Sequence, residues 1–102
     1  MKLNPDRTLN VGVQVLPLGG DVFKIVDHAI SVIASRGIRF EVGPMETVKE
    51  GKLDDLLDAA KAAHLACFEA GAESVMTLIK IGDHAAGTTI EQKVGKYRAS
   101  FT

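Results

Sequence analysis

Val75-Met76-Thr77-Leu78-Ile79-Lys80-Ile81 is the stretch on which the fold turns. It is too short for a typical helix, rich in β-formers and closed by Gly82-Asp83, so it predicts a strand. Alternation puts Val75, Ile79 and Ile81 on one face and Met76 and Leu78 on the other, so neither face reads as polar. Such a strand needs cover on both sides. Upstream, Leu53, Leu56, Leu57, Ala60, Ala63, His64, Cys67 and Phe68 trace an apolar stripe at helical spacing, ending at Gly71. Before that helix lie two short extended runs, Ile38 to Val42 and Met45 to Glu50, broken by Gly43-Pro44 as in a hairpin. Farther upstream, Val22, Val26, Ile30 and Ile33 recur at helical spacing up to Gly37, behind a Gly19-Gly20 turn and an Asp21 N-cap. The chain opens with alternating Leu9, Val11, Val13 and Val15, a strand that Pro17 is expected to end. Downstream, Thr89 and Gln92 fit a capping box for a short helix near Ile90 to Val94, with a loose tail beyond it.

The order is strand, helix, strand, strand, helix, strand: two split βαβ units. This predicts an α+β ferredoxin-like sandwich, with an antiparallel four-stranded sheet, two helices on one face and a short C-terminal helix. Right-handed crossovers place strands one and three at the centre. Both long helices then cover one face, leaving Gly12, Gln14, Leu16, Met76 and Leu78 on the other, along with Met45 and Thr47. That bare apolar face predicts a second subunit over it.

With 102 residues, the chain has room for one compact domain. Residues 1–102 are read as that single domain, with a core of about residues 8–95. The 46% hydrophobic and 25% charged residues place it among folding chains rather than disordered ones. Twelve basic against thirteen acidic side chains leave no field to hold a polyanion, so nucleic acid is not an expected partner. An RNA-binding sheet would interleave aromatic and basic residues on strands one and three, and only Phe40 falls near, in the wrong strand. No apolar run has transmembrane length, no signal-peptide core is present, and one cysteine makes no internal disulfide, so a cytoplasmic location without membrane contact is expected.

His64 and Cys67 stand three apart on one helix face, as two metal ligands would. Their place on the apolar seam, with no CxxC or HExxH pattern, favours core packing, and no metal or cofactor is expected. His28 reads as a helix-surface residue and His84 as a loop residue facing solvent. Pro17-Leu18-Gly19-Gly20-Asp21 precedes a helix N-terminus but lacks the P-loop lysine, and Asp21 would repel a phosphate, so it reads as a turn with an N-cap. Among Glu41, Glu46 and Glu50, alternation from Val48 turns Glu46 and Glu50 towards the helices and Thr47 towards the open face. A half-buried Glu50 needs a donor or a cation, which either a ligand or a salt bridge to Lys52 or Lys80 would provide. No catalytic triad or carboxylate pair is legible, so no enzyme is expected.

Gly43-Pro44-Met45-Glu46-Thr47-Val48-Lys49-Glu50-Gly51 resembles the GPxxTxxEG signature of a small thiamine-binding family, related to the tandem-domain thiamine-binding protein of bacilli. Val15 to Gly19, Gly71-Ala72-Glu73 and Ile79-Lys80-Ile81 followed by Asp83 resemble other segments of that family, over about residues 8 to 95. Ser74 departs from an expected basic residue, and Gly82 with His84 from an acidic and a basic one. The resemblance implies non-catalytic binding of thiamine or its hydroxymethylpyrimidine part. It also implies dimers that extend the sheet and tetramers, as dimers of dimers, in which sheets face each other. Thr47, Glu50 and the flanking glycines, including Gly43, come from the matched motif. Gln14 as a polar contact, Leu18 as an apolar wall and Asp83 as a negative charge come from the expected sheet. Leu18 and Gly43 fall at one sheet end, Glu50 and Asp83 at the other. A regulatory or protein-interaction domain with a different metabolite is the alternative, and a cofactor-free enzyme using Glu50, His64 or His84 is a third.

Overall fold

The computed structural model describes residues 2–101. Its elements are β1 (Leu9–Leu18), α1 (Val22–Ala34), β2 (Arg39–Val42), β3 (Thr47–Gly51), α2 (Leu53–Glu69), β4 (Ser74–Gly82) and α3 (Ile90–Phe101). The strands form one antiparallel sheet in the order β2-β3-β1-β4, with β1 and β3 central as the crossovers require. This is the ferredoxin-like α+β fold.

Local chemistry explains the boundaries. Gly19 and Gly20 both adopt positive φ, 84° and 77°, which a side chain would oppose. Asp21 then caps α1, its Oδ1 accepting from Lys24 N at 3.2 Å. Contrary to expectation, Pro17 does not end β1, which runs on to Leu18 with Pro17 opposite Val75. The register with β3 stops at Val13, so beyond it β1 has β4 alone as partner, an edge position where proline is tolerated. β3 begins at Thr47 rather than Met45, because Gly43 N–H closes the turn on Glu46 O at 2.9 Å. Thr89 and Gln92 do form a reciprocal capping box. The helix it opens continues well past Val94, where a loose tail was expected.

Register decides which side chains share a face. Val11 lies opposite Lys49 and Ile81, and Val13 opposite Thr47 and Ile79, so all six project to one side. That side carries α1 and α2. Leu9, Val11, Ile25, Ile33 and Leu56 are at most 1% exposed, and each burial contributes about 1.5–3 kcal/mol. Short side chains at Ala59, Ala60, Ala63 and Ala66, all buried, let α2 lie close to α1 and β1. The core is two clusters, one around Val13, Ile25, Ile33 and Cys67, the other around Leu9, Val11 and Leu56. Lys49 stands between them, opposite Val11 of the second and Phe40, which packs on the first.

The same register corrects the expected sidedness of β3. Thr47 faces the helices, while Glu50 lies opposite Asn10 and Val48 opposite Gly12, so Glu46, Val48 and Glu50 face the other way. Assigning Val48 to the core put the strand one residue out of phase, and a single step inverts every side chain. Gly12, Gln14, Leu16, Met76 and Leu78 lie on the open face as expected. α3 crosses one end of that face and leaves Leu16, Met76 and Leu78 exposed.

Candidate ligand-binding site

Between the open sheet face and α3 runs a cleft of about 340 Å³. Its floor is the even-numbered side of β1 and β3: Asn10, Gly12 and Val48. Its far wall is the apolar side of α3, Ile90 and Val94, with Lys93 at the rim. Two glycines make room for the charged side chains that border it. A Cβ on Gly12 would collide with the Glu46 carboxylate, which lies across it, and one on Gly82 would come within 2.8 Å of Lys93 Nζ. Glu46 pairs with Lys80, and Glu41 pairs with Arg98 of α3.

Glu50 holds the helix over the cleft. Its Oε1 accepts from Ile90 N at 2.6 Å, and its Oε2 lies 3.8 Å from Arg39 Nε. Neither cation expected for Glu50 meets it, since Lys80 is with Glu46 and Lys52 Nζ donates to Asp6 O. The carboxylate serves instead as acceptor for an otherwise unpaired N–H in the first turn of α3. Asn10 is 4% exposed, and neither its Nδ2 nor its Oδ1 has a hydrogen-bond partner among the described residues.

A second cleft of about 320 Å³ lies on the helix side at the opposite sheet end, lined by Val22, Val26, Ile30, Val42, Met45 and Thr47 among others. It gathers Gly43, Gln14 and Thr47, and is mostly apolar. Leu18 lies at that end, exposed, and lines neither cleft. Asp83 lies at the Glu50 end but is engaged by Arg7, whose Nε and Nη2 each donate at 2.7 Å to one of its oxygens. That guanidinium holds the Asp83 carboxyl below the usual carboxylate range, and the carboxylate in turn raises Arg7. The predicted residues are thus split between two sheet ends and two faces.

The remaining candidates have structural partners. His64 Nδ1 meets Thr77 Oγ1 at 2.6 Å, and its ring meets Phe68 edge-on at 5.7 Å. Cys67 is buried, its Sγ donating to Ala63 O at 3.5 Å, and burial pushes the thiol up, away from the nucleophilic thiolate. His28 lies 3.5 Å from Glu69, and His84 Nδ1 accepts from Ala86 N at 3.0 Å. Asn10 was missed by sequence reasoning. Its signal was the alternation of Asn10, Gly12 and Gln14 along one side of β1, of which sequence reasoning took up Gln14 alone as a polar contact. No helix among the described residues is long and apolar enough to cross a membrane.

A family model described as thiamine-binding protein matches residues 11–98. A UPF0045 protein of Clostridium perfringens is 47% identical over 93 residues, covering 89% of this chain and 98% of the relative. Among solved structures, a Bacillus cereus domain of unknown function, DUF77, superposes with a TM-score of 0.87 at 45% identity, over 94% of this chain and 95% of that one. A Thermotoga maritima protein described as a candidate thiamine biosynthesis/salvage protein superposes with a TM-score of 0.81 at 33% identity, over 89% and 99% of the two chains.

Proposed function

This chain belongs to the thiamine-binding protein family, and on that premise we propose that it binds thiamine or its hydroxymethylpyrimidine part, without catalysis, in the cleft under α3. The observation that carries this reading is the composition of the cleft. A void of about 340 Å³ joins apolar walls, Val48, Ile90 and Val94, to the carboxylates Glu41 and Glu46. That volume lies in the range of small-molecule sites, which pair apolar walls with a few aimed polar groups. A flat pyrimidine ring fits between such walls, and a thiazolium cation would take the place of Lys80 or Arg98 beside the paired carboxylates Glu46 or Glu41.

The working form in this reading is a cytoplasmic homo-oligomer, a dimer of dimers, that buffers, carries or senses the vitamin. Leu16, Met76 and Leu78 support it, since they leave apolar area exposed beside the cleft that a second copy would cover. Glu50 acts by seating α3. Gln14 and Leu18, farther along β1, reach a ligand where a neighbouring copy brings its own sheet end over the cleft. Gly43 and Thr47 shape the hairpin and the second cleft, and Asp83 anchors the connection into α3. Calorimetric titration tests the reading: thiamine and hydroxymethylpyrimidine are expected to bind with a saturable signal. Absence of heat and of any melting shift up to millimolar ligand would end it.

A further inference from the structure

Asn10 is the one residue of the cleft floor whose chemistry is unspent. It sits mid-sheet, flanked by Glu50 on β3 and Gly82 on β4, and faces α3. A carboxamide carries donors and acceptors that each cost free energy when buried unpaired, yet among the described residues Nδ2 and Oδ1 pair with nothing. The adjacent carboxylates offer no relief. Glu50 is taken by Ile90 N–H and Arg39, and Glu46 by Lys80. Gly12 and Gly82 add no side chain of their own beside the amide, and the groups that lie over them, the Glu46 carboxylate and Lys93 Nζ, end flexible side chains that swing aside for a flat molecule to reach it. Access is through α3, in which Ile90 is the only buried residue among the described side chains.

We infer that Asn10 is the specificity-determining residue of this cleft, and that its carboxamide reads a heteroaromatic edge presenting an amino N–H beside a ring nitrogen. Asparagine pairs bidentately with just such an edge on adenine, its Oδ1 accepting from the amino group and its Nδ2 donating to the ring nitrogen. An aminopyrimidine carries the same edge. The assignment rests on the cleft proposed above as the ligand site and adds the residue that selects the ligand.

The test pairs wild type with Asn10→Leu and Asn10→Asp, using thermal shift and calorimetry. The panel is thiamine, hydroxymethylpyrimidine, its analogue lacking the amino group, cytosine and adenine. Unliganded Asn10→Leu is expected to melt above wild type, because the unpaired amide is gone, and to bind the aminopyrimidines about tenfold or more weakly. Asn10→Asp is expected to weaken them as well, since it presents no donor to the ring nitrogen. Wild type is expected to prefer hydroxymethylpyrimidine to the analogue without the amino group, a comparison that needs no variant to fold. Undiminished binding by Asn10→Leu, its melting below wild type, or equal wild-type affinity for the two pyrimidines would overturn the assignment while leaving thiamine binding intact. Asn10-dependent binding of cytosine or adenine alone would uphold the assignment and overturn the thiamine reading. Silence across the whole panel would remove both.

Discussion

Lys49 is fully buried on the helix-covered face, its Nζ without a partner among the described residues, at the boundary between the two core clusters. Burial lowers its pKa from 10.5 to about 8, because the charged form is desolvated and no counter-charge compensates. Between these values the unfolded chain holds the proton that the folded chain has released, so stability should rise with pH from about 8 to 10.5. At neutral pH the folded state carries the full penalty. Lys49→Met, of similar volume, should raise stability at pH 7 by roughly 1–3 kcal/mol and flatten the alkaline rise. Urea unfolding at several pH values measures both, and an unchanged slope in the variant would contradict this account. Lys49 was not legible as a core residue, since in Met45 to Glu50 the apolar Val48 claimed the inward phase. Cys67 was legible, because helical spacing seats it on the seam whatever the neighbouring elements do, whereas His64, expected in the core beside it, is half-buried against Thr77 and Phe68.

Among the elements, α3 departs most from expectation, and its attachments make it testable. Its first turn depends on the Thr89–Gln92 capping box and on the Glu50 carboxylate that accepts from Ile90 N–H. Thr89→Ala should cost α3 about 1 kcal/mol of local stability, and Glu50→Leu should remove an acceptor that the first turn cannot replace internally. Hydrogen exchange should then accelerate in residues 90–98 while β1 and α2 stay protected. Equal acceleration everywhere would mean that α3 is not a separable unit. The connection into α3 is pinned by Arg7 on Asp83. Since the guanidinium depresses the Asp83 pKa below 3.8, its stabilising contribution is present above about pH 3.8 and lost as pH falls through the folded-state value. Asp83→Asn should therefore reduce the steepness of acid unfolding followed by circular dichroism. The capping box was legible as a local motif. The length of α3 was not, because the Arg98–Glu41 pair joins residues 57 apart in sequence.

At the scale of the whole molecule, one sheet face is covered by α1 and α2 and the other only partly by α3. Met76 is 61% and Leu78 44% exposed, and on the opposite side of β4 Ile79 and Ile81 are about half exposed at the sheet edge. Exposure on both faces of an edge strand favours self-association. Sedimentation at micromolar concentration should show an assembly larger than the 10.9 kDa chain. Met76→Lys with Leu78→Lys should shift it to smaller species while leaving the circular dichroism spectrum intact. A wild-type monomer would contradict the proposed oligomer and leave the cleft unaffected.

Sequence alone determined the element order, both long helices, the Asp21 cap and the two-sided apolar character of Val75 to Ile81, because each follows from periodicity or a local motif. Tertiary structure alone decided the inward phase of β3, the seating of α3 on the open face through Glu50 and the meeting of Asn10 and Glu46 in one cleft. Those facts depend on register between strands far apart in the chain. A pleat of period two makes each strand's faces interchangeable until its neighbour is in place.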